Sequence, residues 1–412
     1  MSKFLPKGFL LVLLFSLFGI FYALLNKPQK GNLYSTLTLN GTVIKTVYNR
    51  ALVLSSNNTL FWVYLNRYQP RVFVGDTILV EGRAKGFKIF ARHLEVKRNF
   101  FQRLRVKIHL FLKRRFLKTA TTKGSKKVGS ALIFGENFFS KKEKKLISRL
   151  GIYHILVISG MHYALFLTFF LWIPLRWKLR YYLALVFFLF FTFLVLFPSA
   201  PAYRAFVSVA LFLLAAIVER PYNSLKAWLI ALGVWSFIYP YWVFSIGFWL
   251  SYLASLALII YYGRNKTPEE DFIKNFFSKF LGLEAALAVG LVIYPLLTTF
   301  LGYVSLGSFL YGVLFTFLAQ LYILVSTFNL LTLWSFDIPS RVQDFLGNLF
   351  VELVYKLPKE GITVEVGKTP LWEAVLLSLL GLGILLLPLK GWKKISLLAV
   401  AMSLEIILLK VF

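Results

Sequence analysis

Long apolar runs fill most of the chain beyond residue 150, and another lies near the N-terminus at Phe9–Leu25. A helix needs about 20 mostly apolar residues to cross the hydrocarbon core of a bilayer. The pattern therefore predicts a polytopic α-helical membrane protein with about 9–11 spans, some of them short or broken by Gly or Pro. After the first run, the predicted spans are residues 152–173, 181–197, 203–218, 226–239, 241–262, 281–300, 304–334, 371–389 and 395–411.

Two stretches in this region deviate from a simple span. The run 304–334 is long enough for two half-spans around Gly307 or Gly312, an arrangement tolerated at membrane depth where the backbone is buried or lines a cavity. Residues 341–357 form an amphipathic stretch that we expect to lie at the membrane interface.

Between residues 27 and 98 the pattern changes to an alternation of apolar and polar positions. The alternation over residues 35–40, 42–47, 60–65 and 77–80 has the two-residue period of half-buried strands. Turn signals such as Asn40-Gly41 and Gly75-Asp76 separate these runs. About five short strands favour a small closed barrel, of which the OB-fold is one type. The sequence therefore predicts a small N-terminal OB-like β-barrel domain.

The chain then becomes strongly basic, with thirteen Lys and Arg between residues 92 and 127 against the single acid Glu95. Phe100, Phe101, Leu104 and Ile108 recur at helical spacing, which predicts an amphipathic basic helix. A helix on anionic lipid and a nucleic-acid contact explain it equally well. The candidate nucleic-acid contacts are Arg92, Arg103, Arg105, Lys113, Arg114 and Arg115.

Together these patterns divide the chain into four parts. Residues 1–26 form a transmembrane anchor, residues 27–98 the β domain, residues 99–130 the basic connector, and residues 131–412 a transmembrane domain. The anchor lacks a small-residue cleavage site before Asn26, which favours an uncleaved signal anchor.

Net charge and membrane orientation bear on the partner of the β domain. The formal net charge is +30, from 47 Lys and Arg against 17 Asp and Glu. Cytoplasmic loops of any membrane protein are enriched in Lys and Arg, so the total alone is weak support for an anionic partner. Lys3 and Lys7 place the N-terminus in the cytoplasm, so the basic β domain lies on the outer side of the cytoplasmic membrane. There the positive-inside bias does not explain its charge, which favours an anionic ligand.

Polar side chains interrupt three of the predicted spans. Residues 151–165 contain His154, Ser159, Gly160 and His162, and such groups at bilayer depth usually face a protein interior or an aqueous path. Arg204 begins an apolar run behind two prolines; it either extends to the interface or faces a polyanion. Phe248, Trp249 and Ser251 combine aromatic rings with a hydroxyl, although core packing explains them as well.

The sequence does not match the common catalytic and metal-binding motifs. There is no cysteine, and there are only four histidines. On one continuous helix, His154 and His162 would lie two turns apart, too distant to share a metal unless the helix breaks at Gly160. HExxH and GxSxG do not occur, and the Walker-like stretch at 361–369 has five residues between its glycines instead of four. We therefore expect no catalytic residue, metal, cofactor or ATPase activity, and no enzyme.

Four blocks resemble a known family. GIYHILVISGMHYAL at residues 151–165 is similar to GLxHLLAVSGLHVGL, and ALIFGE at 131–136 resembles an LLxGDRS-like block. YRA at 203–205 resembles part of SxLRAxxM, and GFWLSY at 247–252 resembles GFQLSF. In this order the blocks resemble the competence domain of ComEC, the inner-membrane channel of bacterial DNA uptake, and residues 27–98 resemble the family's small OB-like domain.

The resemblance implies a channel in the bacterial inner membrane that translocates DNA, expected as a single strand, into the cytoplasm during natural transformation. It implies DNA and membrane lipid as partners, with a separate DNA receptor and a helicase or ATPase; a separate nuclease and a homo-oligomer are left open. The implied translocation path contains His154, Ser159, Gly160, His162, Arg204, Phe248, Trp249 and Ser251.

The chain also departs from the family. Trp249 occupies a position where the family usually has Gln, and the Asn-bearing element of the family is not recognisable near residues 307–314. Many members continue into a metallo-β-lactamase-like nuclease domain whose zinc motifs do not occur here, so nuclease activity is not expected.

Two other functions fit parts of the sequence. A secondary transporter or exporter of a small anionic or lipid-like solute, with a periplasmic β domain, would use the histidines as proton relays. A membrane-bound hydrolase would use His154 and His162, but no Asp or Glu lies between Arg149 and Glu219 to assist them.

Overall fold

A computed structural model describes residues 8–32, 36–47, 49–66, 68–263, 283–358, 362–387 and 392–411 of the 412-residue chain. The chain forms two compact units, each made of separate stretches of sequence. Unit 1 comprises Met1–Phe116, Leu175–Arg220 and Leu229–Ser245, and unit 2 comprises Leu117–Pro174, Pro221–Trp228 and Ile246–Phe412.

Unit 1 contains the predicted β domain. Its strands are β1 Gln29–Lys30, β2 Thr36–Val47, β3 Arg50–Ser55, β4 Thr59–Tyr64, β5 Thr77–Lys85 and β6 Lys88–Lys97. They form a six-stranded sheet in the order β1-β4-β3-β2-β5-β6. The prediction of a closed barrel is wrong. The described strands form a sheet with the short strand β1 at one edge, and the extra β4–β6 pairing covers only three residue pairs.

One face of the sheet forms a hydrophobic core. Alternate positions point inward, so that Val43, Val53 and Val63 are almost fully buried in one hydrophobic core. At Gly82 the register between β5 and β6 shifts, and a Cβ atom there would lie 2.2 Å from the carbonyl oxygen of Phe90. Only glycine allows the two strands to approach so closely.

Helices make up most of the remaining described chain. They are α1 Phe9–Leu25, α2 Phe100–Thr119, α3 Lys123–Leu132, α4 Lys141–Arg149, α5 Gly160–Trp172, α6 Trp177–Phe190, α7 Ala200–Ile217, α8 Ser224–Ile238, α9 Ile246–Gly263, α10 Leu283–Leu301, α11 Gly307–Leu310, α12 Gly312–Leu331, α13 Asp337–Lys356, α14 Leu371–Leu385 and α15 Trp392–Val411. Tyr153–Leu156 and Pro240–Phe244 are 3₁₀ turns, Phe191–Val195 is a π-helix, and strands β7 Tyr303–Ser305 and β8 Thr363–Glu365 pair with each other.

Within the described residues, four helical stretches are long and apolar enough to cross a membrane: Lys178–Val195, Ala200–Ile217, Ile246–Gly263 and Gly312–Leu331. Six shorter apolar helices accompany them: Phe9–Leu25, Gly160–Trp172, Ser224–Ile238, Ala285–Leu301, Leu371–Leu385 and Leu397–Leu409. The chain is thus a helical, multi-pass membrane protein with an N-terminal β-sheet domain.

Two predicted spans have different structures from those expected. Residues 304–334 do not form two half-spans: strand β7 and the short helix α11 precede one helix of 20 residues, α12. Residues 152–173 are not one helix, because a 3₁₀ turn ends at Leu156 and α5 begins only at Gly160. The amphipathic stretch 341–357 lies within α13, which begins four residues earlier, at Asp337.

Candidate functional site

The first candidate region is the start of α5, in unit 2. The Ser159 backbone N–H donates a hydrogen bond of 3.2 Å to Nδ1 of His162. Because Nδ1 accepts this bond, the proton of the neutral imidazole lies on Nε2. His162 is completely buried, and its Nε2 has no hydrogen-bond partner. The structure therefore shows His162 as a sealed side chain with one unused donor.

A glycine changes the direction of the backbone ahead of this helix. Gly151 has a φ of 73°, in the left-handed region, and a Cβ atom there would lie 2.5 Å from the backbone nitrogen of Ser308. Glycine allows both the left-handed φ and the close approach to Ser308, because it has no Cβ atom. Beyond it, His154 lies in the 3₁₀ turn and is exposed, unlike His162. The two histidines thus do not share a helix, and among the described residues no three His, Asp or Glu side chains cluster as metal ligands would.

Phe248, Trp249 and Ser251 lie on α9, also in unit 2. Phe248 is fully buried and its ring centroid lies 4.4 Å from that of Tyr252, while Trp249 and Ser251 are half-buried. Next to them, the indole of Trp228 donates a hydrogen bond of 2.9 Å to the carbonyl oxygen of Tyr252. These contacts have the character of a packed aromatic core.

Arg204 lies in the first turns of α7, in unit 1, and only 8% of it is exposed. Pro201 begins this helix well because a proline in the first turn has no N–H to leave unpaired. The neighbouring Tyr203 is fully buried, and its carbonyl oxygen accepts a hydrogen bond of 2.9 Å from the indole of Trp235. The side chain of Arg204 is therefore buried inside unit 1 and does not extend from an exposed helix end.

Arg105, a predicted nucleic-acid contact, proves to be an internal residue of unit 1. Its Nε donates to the carbonyl oxygen of Phe193 at 2.8 Å, and its two terminal nitrogens donate to Gln102 at 3.2 Å and to the Tyr203 hydroxyl at 3.3 Å. Only 5% of Arg105 is exposed. Its burial and these internal hydrogen bonds give no support to a nucleic-acid contact by Arg105.

His109 lies one turn further along α2 and, like Arg105, donates to a backbone carbonyl oxygen. The sequence did not suggest this role. Its Nδ1 lies 2.6 Å from the carbonyl oxygen of Val195, so Nδ1 donates the proton. Phe193 and Val195 belong to the π-helix that ends α6, and carbonyl groups at a helix end lack partners within the helix. The basic helix α2 supplies those partners through Arg105 and His109.

The other predicted nucleic-acid contacts remain accessible. Arg92, Arg103, Arg114 and Arg115 are exposed, and Lys113 is half-buried. Of these, Arg103 donates to the carbonyl oxygen of Arg98 at 2.8 Å, and the Arg115 guanidinium lies 5.7 Å from the centroid of the Phe111 ring. The outer side of α2 is thus a cationic surface.

A buried amide network in unit 2 was missed by the sequence reasoning. Oε1 of Gln343 accepts hydrogen bonds from Asn329 at 2.6 Å and from the Trp334 indole at 2.9 Å. Its Nε2 donates to the Tyr322 hydroxyl at 3.2 Å and to Ser326 at 2.9 Å. Polar residues at positions 326 and 329 of an otherwise apolar run were the available signal, since such groups at membrane depth need partners.

Glu143, in the charged helix α4 of unit 2, is another buried polar group with full pairing. Lys127 donates to its carboxylate at 2.6 Å, the Ser140 backbone N–H at 2.7 Å and the Tyr355 hydroxyl at 2.9 Å. Burial alone would raise the pKa of Glu143, but these hydrogen bonds outweigh it and lower the pKa from 4.5 to about 2.

These features define a multi-pass membrane protein with a β-sheet domain and with polar side chains buried among apolar helices. The family model described as Competence protein matches residues 132–392, more than half of the chain. The chain therefore belongs to this family, the ComEC family of competence proteins. Membership supports a role in DNA uptake at the level of the family, whose domain is of a channel type rather than a catalytic one.

One relative is an uncharacterized protein of Aquifex aeolicus (strain VF5), 29% identical over 253 residues. The match covers 60% of this chain and 57% of that protein, so the chain spans little more than half the length of this relative. No solved structure matches the chain.

Proposed function

We propose that this protein forms the membrane pathway through which DNA, as a single strand, enters the cytoplasm during natural transformation. The observation that carries the proposal is that, in a chain of the competence family, a guanidinium and an imidazole are buried within apolar helices, Arg204 in α7 and His162 in α5. Buried ionisable groups in membrane proteins commonly mark ion and substrate pathways.

A polyanion does not cross hydrocarbon, so its path needs cationic and polar groups inside the membrane. Arg204 offers a permanent positive charge there, and His162 offers the unused Nε2–H donor. In our proposal Arg204 serves the path in unit 1, and His162 serves it in unit 2 together with His154, Ser159 and Gly160. The half-buried Trp249 and Ser251, next to Phe248, line its continuation along α9.

Outside the membrane, the β domain and the basic helix α2 would capture and guide the DNA. The exposed basic residues of this region are Arg92, Arg103, Arg114 and Arg115, with Lys113 half-buried. Binding through Lys and Arg releases counterions, so capture should weaken steeply as salt is added. The β4–β6 pairing supports an OB-like domain of a partly open kind, the type of fold that binds oligonucleotides.

The proposal includes an arrangement in the cell. The N-terminus lies in the cytoplasm, residues 1–26 anchor the chain, the domain at 27–98 lies outside the inner membrane, and residues 99–130 connect it to the channel domain at 131–412. A separate DNA receptor and a helicase or ATPase would deliver the strand and drive it inward. Lys3 and Lys7, ahead of the first apolar run, support this orientation, and the positive charge of the outer domain then favours an anionic ligand.

The test is a transformation assay on strains carrying Arg204→Ala with His162→Ala. We expect transformation to be abolished while DNA still binds to the cell surface, because capture and passage use different residues. The exposed Arg176, which lies outside the proposed path, provides a matched control, and Arg176→Ala should leave transformation unchanged. Arg204→Lys, which keeps the charge, should retain part of the activity. Normal transformation in the double variant, at normal protein levels, would remove both residues from the mechanism.

A further inference from the structure

The outward face of the β domain carries a patch that the basic helix does not explain. Inward positions of β3 and β4 are the buried Ala51, Val53, Phe61 and Val63, so the alternate positions face outward. These outward positions, with the first half of β6, combine aromatic and cationic side chains. We call the following set the aromatic–basic surface: Arg50, Leu52, Trp62, Tyr64, Lys88 and Phe90.

Strand register places these six residues in two rows. Arg50 pairs with Tyr64, which pairs with Phe90, so one row crosses three strands. Leu52 pairs with Trp62, which pairs with Lys88, and this second row lies beside the first. Neighbouring strands are about 4.8 Å apart, so side chains in one row touch or nearly touch. Each row thus presents an aromatic ring next to a cation.

The rings and cations adopt defined contacts. Tyr64 and Phe90 are stacked, with ring centroids 5.2 Å apart and an angle of 24° between their planes. Phe90 is 48% exposed although it is a large apolar side chain, so part of its ring faces solvent. The Arg50 guanidinium lies 4.9 Å from the centroid of the Trp62 ring. The exposed Phe90 and the half-buried Tyr64, stacked and flanked by cations, form a platform for a flat, negatively charged partner.

The local charge selects an anionic occupant. Residues 27–98 contain twelve Lys and Arg against three acids, Asp76, Glu81 and Glu95. Asp76 is buried and paired with Arg98, and neither β3 nor β4 contains an acidic residue. No carboxylate therefore competes on the described strands that carry the two rows, apart from Glu95 at the far end of β6.

We infer that the aromatic–basic surface binds single-stranded DNA by stacking unpaired bases on the Tyr64–Phe90 pair, with Arg50 and Lys88 contacting the phosphates. This inference rests on the proposed function and names the place where the strand is held outside the channel. Stacking requires bases that are free of a duplex, and it tolerates any sequence because every base has a flat face. The surface should therefore favour single strands over duplexes and show little sequence preference.

The test measures fluorescence anisotropy of a labelled 20-nucleotide oligothymidylate with the full chain in detergent at about 0.1 M salt. Tyr64→Leu and Phe90→Leu should each weaken binding by about 5–30-fold, as expected for the loss of one stacked base. Tyr64→Phe keeps the ring and should bind like the wild type. The matched control is Tyr68→Leu, since Tyr68 is 96% exposed in the same domain but lies outside the two rows.

Salt dependence provides a second measurement on the same protein. Arg50→Ala and Lys88→Ala should each lower the slope of log affinity against log salt by about 0.7, the value for one phosphate contact with a single strand. The two leucine variants should leave the slope unchanged, because they remove stacking rather than charge. A duplex of the same length should bind with little dependence on Tyr64 or Phe90.

Affinities of both leucine variants within twofold of the wild type would overturn the inference. It would also be overturned if the variants lost self-association, or binding to vesicles with anionic lipid, while oligonucleotide binding stayed normal. The occupant would then be a second copy of the chain or a membrane surface. Normal transformation with the leucine variants would refute the inference alone, whereas normal DNA uptake without the gene would refute the proposed function.

Discussion

The two units bury polar side chains in different ways. In unit 1, the charged Arg105 and the imidazole of His109 donate to carbonyl oxygens at the end of a π-helix. In unit 2, the neutral amide of Gln343 on α13 makes three hydrogen bonds to residues of α12 and one to Trp334, between the two helices. A cation stabilises the carbonyl end of a helix, whereas a neutral amide can satisfy both donors and acceptors in the interior of a helix pair.

Buried polar residues in this protein therefore need not all serve the proposed path. Arg105 makes three hydrogen bonds and Gln343 makes four to described neighbours, so their role is to hold neighbouring segments together. His162, by contrast, is buried with Nε2 unpaired. A buried polar group left without a partner costs free energy, so its retention favours a functional role.

The largest expected effect on stability is that of the substitution Gln343→Met. The substitution removes four buried hydrogen bonds, and we expect the full chain to lose about 2–4 kcal/mol of stability. The measurement is thermal unfolding in detergent followed by tryptophan fluorescence. Val342→Met, at the neighbouring exposed position of α13, should change stability little. Equal melting temperatures for the two variants would mean that the amide network contributes no stability.

A smaller effect is expected from Arg105→Met in unit 1. Loss of three hydrogen bonds from a charged donor should cost about 1.5–3 kcal/mol, without weakening DNA binding beyond the effect on folding. Arg114→Met, on the exposed side of the same helix, should give the reverse: normal stability and weaker binding to an oligonucleotide. If Arg105→Met instead retained full stability and lost oligonucleotide affinity, the assignment of Arg105 as an internal residue would be wrong.

The smallest effect concerns Glu143 and its pH dependence. The pKa of this carboxylate is lowered from 4.5 to about 2, so its stabilising contribution is present above pH 4.5 and is lost as the pH falls towards 2. The stability difference between the wild type and Glu143→Gln, about 1 kcal/mol at pH 7, should therefore shrink between pH 4.5 and pH 2. Unfolding of both proteins at pH 7, 4 and 3 measures this stability difference. The substitution Glu352→Gln, at an exposed position, is the control. A difference that does not change with pH would contradict the role of the ionised carboxylate.

Much of the fold follows from local patterns. The two-residue period gave the strands of the β domain, and long apolar runs gave the membrane helices, because each depends on neighbouring residues. The break before α5 does not follow from hydropathy, since residues 152–158 are almost entirely apolar. It depends on Gly151, whose positive φ and contact with Ser308 involve a segment more than 150 residues away.

The candidate site was less accessible to sequence reasoning. Arg105 and Arg114 look alike in a basic amphipathic helix, and only the carbonyl groups left free by the π-helix distinguish them. The pairing of Gln343 with Asn329 likewise requires the packing of two helices. His162 and Arg204 could be selected as candidates from the sequence because an ionisable residue in an apolar run stands out wherever it lies.

The most direct test of the central claim is the location of labelled DNA in cells with and without this gene. Competent cells lacking the gene should bind labelled DNA at their surface but carry none of the label into a nuclease-protected cytoplasmic fraction. Complementation with the wild-type chain should restore the protected label, and complementation with the Arg204→Ala, His162→Ala chain should not. Protected cytoplasmic label at the wild-type level in the deletion strain would contradict the account.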